Sequence, residues 1–87
     1  NDVVISENTI NQLGYRYLVQ GKIKEAVELF KLNILFYPDS WNVYDSLAEA
    51  YMTDGNKELA VKNYEKSLEL NPENSNAVEM LKKLKKE

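Results

Sequence analysis

The chain has 87 residues, 44% hydrophobic and 29% charged, with a formal net charge of −3 and neither cysteine nor histidine. That bounds it to one small soluble domain with a marginal core, and it removes disulfides, thiol nucleophiles and imidazole bases or ligands. The acidic balance without a basic stripe argues against a nucleic-acid partner, and no apolar run approaches the ~20 residues of a membrane span.

Residues 1–6 read as a lead-in holding the apolar Val3–Ile5. The chain opens on Asn1 rather than Met, so it is expected to be a piece of a longer protein. No targeting segment is visible; the compartment stays open, with the cytoplasm preferred. Ser6 is placed as an N-cap, with Ile5 and Ile10 as a hydrophobic staple across it. Ile10, Leu13, Gly14 and Tyr17 then form the apolar stripe of a first helix. Gly21 sits where a helix C-terminus needs a left-handed residue.

A second helix is expected from Ile23 to Phe36, its core stripe made of Ile23, Ala26, Val27, Phe30 and Ile34. It stops where the residue before Pro38 resists helical geometry. The pattern then recurs. A third helix carries Tyr44, Leu47, Ala48 and Tyr51, Gly55 ends it, and a fourth runs from Lys57 to Leu70 ahead of Pro72. From Ser75 a fifth helix follows Asn74 as N-cap, with Ala77, Val78, Leu81 and Leu84 on one face. Lys82 and Lys85 stand where the earlier unit has Ala48 and Tyr51, a polar outer face suited to the end of a helical array. The terminal "KKLKK" also suits a helix C-terminus.

Pro38 and Pro72 are 34 residues apart, and the same offset lays Leu13 on Leu47, Tyr17 on Tyr51, Gly21 on Gly55 and Ala26 on Ala60. The chain is therefore read as all-α, with antiparallel helix hairpins at residues 7–40 and 41–74 and a capping helix at 75–87. Leu13-Gly14-x-x-Tyr17, Ala26-x-x-x-Phe30 and Pro38 resemble the tetratricopeptide repeat family, as do Leu47-Ala48-x-x-Tyr51, Ala60-x-x-x-Tyr64 and Pro72. Ile10 and Tyr44 stand where that pattern prefers Trp, and Asn33 and Ser67 where it prefers Ala. The resemblance implies an α-solenoid that binds proteins or peptides without catalysis. Small residues at Gly14, Ala26, Ala48 and Ala60 allow close approach of helix backbones.

Two surfaces are candidates. The first helices of such an array line a concave face, here Asn8, Asn11, Gln12 and Tyr15, then Asn42, Asp45, Ser46 and Glu49. Amides there could satisfy the backbone of an extended peptide, with Tyr15 as a flat anchor; an ordinary hydrated helix face reads equally well. One subclass of the family grips a peptide carboxylate with a basic clamp. Asn11, Tyr15, Ser46, Asn76 and Met80 supply none, and Asp45, Glu49 and Glu79 would repel an acidic terminus.

The second surface lies on the second helix, away from its core stripe. Leu29, Leu32, Leu35 and Phe36 stand there, where the fourth helix has Asn63, Lys66, Glu69 and Leu70. Two apolar sides on one helix imply cover on both sides or an exposed patch. The cover could be Val3–Ile5, looser packing, a second copy, or an upstream domain. The stretch from Lys31 to Asn74 is similar to repeat tails that follow serine-hydrolase domains in some bacterial proteins, and the predominance of lysine over arginine fits an AT-rich bacterial genome. A non-catalytic interaction module is the reading; an accessory docking or dimerisation domain of a hydrolase is the alternative. No catalytic residue, metal or cofactor is expected.

Overall fold

The computed structural model describes residues 6–86. Five helices follow in order: α1 (Glu7–Val19), α2 (Ile23–Phe36), α3 (Trp41–Thr53), α4 (Lys57–Leu70) and α5 (Ser75–Lys85), with no strand among the described residues. α1 pairs with α2 and α3 with α4, while α2 packs on α3 and α4 on α5. The result is a slab two helices thick, 50 × 28 × 16 Å, with α1, α3 and α5 in one layer and α2 and α4 in the other. This is an α-solenoid of two hairpins and a terminal helix. The bounds of α2 and α4 coincide with those the proline and glycine signals give.

Local chemistry sets the ends. Ser6 Oγ accepts from the Thr9 amide at 3.1 Å, Asn56 Oδ1 from Leu59 and Asn74 Oδ1 from Ala77, each filling a donor that a helix start leaves open. The staple from Ile5 and the cover by Val3–Ile5 fall outside the described residues. Gly21 and Gly55 have φ of 81° and 80°. After each, the chain folds back in paired bonds: Gly21 N–H to Leu18 and Lys22 N–H to Tyr17, Gly55 N–H to Met52 and Asn56 N–H to Tyr51. That six-residue closure requires a left-handed residue, which glycine adopts without penalty.

Ala26, Ala48, Ala60 and Phe30 are fully buried. A Cβ on Gly14 would lie 2.4 Å from the Phe30 ring, so glycine is what lets α1 seat on α2. The alanine-preferring positions, Asn33 and Ser67, do equivalent work in the two hairpins. Asn33 Nδ2 donates to the Glu7 carbonyl at 3.0 Å and Ser67 Oγ to the Trp41 carbonyl at 2.8 Å. Each ties the end of a second helix to the start of its partner.

One core assignment needs correction. Leu13 and Tyr17 read as core, yet Leu13 is 36% exposed and Tyr17 half-buried, whereas Leu47 is 4% exposed and Leu81 9%. The cause is position in the stack: α2 lies over α3 and α4 over α5, but no described helix lies over α1.

Candidate functional site

The eight first-helix residues divide into two sets. Asn11 and Tyr15 of α1 face α3: the Ser46 hydroxyl donates to Asn11 Oδ1, and the Tyr15 hydroxyl donates to Glu49 Oε1 at 2.9 Å. Asp45 faces α5, its carboxylate accepting from Asn74 Nδ2 at 3.1 Å and from Asn76 Nδ2 at 3.1 and 3.2 Å. These side chains form rungs from helix to helix. Ser46 is buried, so it is not on an open face; it lies between α1 and α3. Gln12 holds the same repeat position as Ser46, but no described helix lies over it and it is exposed. Asn8 and Glu49 are exposed and Asn42 half-buried.

The electrostatics of this layer follow from its acids. Burial pushes the Tyr15 phenol well above the usual tyrosine range, against a lowering from the Ser46 hydrogen bond and with the Glu49 carboxylate adding to it. Tyr64, buried beneath, is pushed up to about 12, first by desolvation and then by Asp45 and Glu49. A phenolate is disfavoured wherever carboxylates already stand. The layer thus offers the bound Tyr15 hydroxyl and negative charge; Asn11 is tied to Ser46, Asn74 and Asn76 to Asp45, while Asn8 and Gln12 are exposed.

The α2 side differs. Leu32 is 41% exposed, Leu35 74% and Phe36 61%, while Leu29 is half-buried. Leu29 joins Leu13 and Tyr17 in an open apolar groove of about 400 Å³, rimmed by Lys24, Glu25 and Glu28. Sequence reasoning placed the α2 residues outside the core but put Leu13 and Tyr17 inside it, so the groove was not foreseen. A signal was available: Thr9 and Arg16 stand at the repeat positions of the buried Val43 and Ala50, and on α1 that face has no described helix over it.

At the far end, Lys82 and Lys85 are exposed and Lys85 Nζ lies 2.8 Å from Glu65 of α4. An exposed pair of this kind contributes about 1 kcal/mol or less. Among the described residues no group of three His, Cys, Asp or Glu side chains could hold a metal ion, and no helix is long and apolar enough to cross a membrane.

The fold and its two surfaces thus define a helical-hairpin repeat array. Comparison with known proteins agrees: residues 42–74 match the tetratricopeptide repeat model, and the first hairpin repeats that unit's spacing. Superkiller complex protein 3 of Homo sapiens is 37% identical over 60 residues, 69% of this chain. The chain spans about 4% of that relative's length.

Proposed function

We propose that the chain is a non-catalytic protein-interaction module of the tetratricopeptide type whose working surface is the outer side of α2 rather than the α1–α3–α5 layer. Repeats of this kind generally mediate protein–protein interaction. The observation that carries the choice of surface is the exposure of Leu32, Leu35 and Phe36 beside the Leu13–Tyr17–Leu29 groove. A contiguous apolar patch on so small a chain has a solvation cost that a partner removes. The opposite layer spends Asn11, Tyr15, Asp45 and Ser46 on internal rungs, which leaves fewer groups for an extended peptide. The hydrolase-tail resemblance would make the same α2 surface the seat of an accessory domain.

A photoreactive benzoylphenylalanine at Leu32 or Leu35, irradiated in cells that naturally make the protein, tests the choice. Discrete polypeptide adducts are expected at these two positions, with none from the same group at Glu49 or Glu79. The reverse pattern would return the working surface to the first-helix layer.

A further inference from the structure

We propose that α1 is a strap that lifts and unfolds as a unit, hinged at Gly21, while α2–α5 stay folded, and that its opening bares Phe30 and Ser46. In an array whose helices touch only their neighbours, an outermost helix opens at the cost of its own contacts alone. The two outermost described helices are held unequally. α1 buries only Ile10 and Gly14 among its thirteen residues, and Gly14 has no side chain to bury. α3, equally long, buries six residues, and the eleven-residue α5 buries Ala77, Leu81 and Leu84. Leu13 and Val19 of α1 stand exposed instead.

The polar ties follow the same order. α5 is anchored through its N-cap Asn74, itself buried, which donates to Ser67 at 2.9 Å and to Asp45 at 3.1 Å. α1 is tied by the exposed Tyr15–Glu49 bond and by part-buried bonds from Asn33 to the Glu7 carbonyl, Ser40 to the Glu7 carboxylate and Ser46 to Asn11. Water replaces such bonds as the helix lifts, so their net hold is modest. Once lifted, α1 has little reason to stay helical. Gly14 stands mid-helix, and thirteen residues are marginal for an isolated helix. Its backbone bonds are therefore lost together. Gly21 supplies the hinge, being exposed, with a φ of 81° and open space around its Cα. The Phe30 ring, seated against Gly14 and edge-on to Tyr15, is uncovered. α2 keeps its place because it also packs on α3.

Amide hydrogen exchange of the chain in graded urea, below the unfolding transition, tests the proposal. Amides of α1 should exchange faster than the protected amides of α3, α4 and α5, with one shallow urea dependence shared along the helix. Those of α3 and α4 should follow the steep dependence of global unfolding. Ser67→Ala, remote from α1, should speed exchange in α3 and α4 by roughly 5–30-fold and leave α1 unchanged. Because the chain has no cysteine, Ser46→Cys should react with a thiol reagent at a rate nearly independent of dilute urea. Ala60→Cys, in the buried core, should react only at the rate that global unfolding allows. Amides of α1 that share the steep dependence, or that speed up with α3 in Ser67→Ala, overturn the proposal. Protected α5 amides that open more readily than α1, or equal urea slopes for the two thiols, overturn it as well.

Discussion

The Tyr15 hydroxyl and the Glu49 carboxylate meet at 2.9 Å from the same turn of successive first helices, 34 residues apart in the chain. The repeat step brings position onto position, and a donor in one unit finds an acceptor in the next. Tyr15→Phe removes the donor and leaves Glu49 free to hydrate, since it is exposed. The expected loss is about 0.5–1.5 kcal/mol. In a double-mutant cycle with Glu49→Gln, urea denaturation should show coupling between the two. Strict additivity would mean the bond contributes nothing to stability.

Alkaline conditions should weaken the fold through the same layer. Tyr15 lies above the usual tyrosine range and Tyr64 is pushed up to about 12, whereas an unfolded tyrosine titrates near ~10. As pH climbs between those values, the native state holds protons the unfolded state has released. Stability is therefore complete below pH ~10 and falls as the native values are approached. Urea midpoints taken across that window should decline for the wild type and decline less for Tyr64→Phe. Equal slopes would dissociate Tyr64 from the effect.

The architecture was legible because its signals are local and recur. Ser6, Asn74, Gly21, Gly55 and the two prolines each act within a turn of their own position, and the 34-residue offset repeats them. The surfaces were less legible, because accessibility depends on neighbours in the stack. Leu13 and Leu47 have the same local pattern and different cover. Ser46 and Gln12 share a repeat position on the expected concave face, yet Ser46 is buried against α1 while no described helix covers Gln12. Periodicity identifies which residues share a face; the stack decides which faces meet.

Ser67 and Asn33 occupy one repeat position with unequal consequences. Ser67 Oγ donates to Trp41 and also accepts from Asn74 Nδ2 at 2.9 Å, whereas Asn33 Oδ1 is buried with no partner. Ser67→Ala removes both bonds and leaves one Asn74 N–H without its acceptor in a buried site, and should cost about 1–3 kcal/mol. Asn33→Ala loses a second bond to the Glu7 carbonyl, which keeps its place in the α1 ladder, and also removes an unsatisfied oxygen, so the smaller loss is expected there. Thermal unfolding of the two variants would reverse that order if the Asn33 bond were the stronger tie.

Gly14→Ala sets helix propensity against packing. Alanine in place of glycine favours a helix by about 1 kcal/mol, but its methyl would meet the fully buried Phe30 ring, which also packs edge-on against Tyr15 at 5.2 Å between centroids. Overpacking of this kind costs about 1–3 kcal/mol, so a net destabilisation is expected. Adding Phe30→Leu should lower the extra cost of the methyl. A plainly stabilised Gly14→Ala would mean α1 can back away from α2 at little cost.

Leu13 and Leu47 offer the most direct comparison of position with burial. Both occupy the same place in their repeats, but α2 covers only Leu47. Leu47→Ala removes a buried side chain and should cost about 2–5 kcal/mol, enough to unfold much of so small a domain. Leu13→Ala loses partial contacts at the rim of an open groove. At low concentration it should shift stability by less than about 1 kcal/mol. Denaturation midpoints of both variants, measured under dilute conditions, check the difference. Equal large losses would mean Leu13 is covered in solution even when copies are far apart, by a segment of the same chain rather than by a partner.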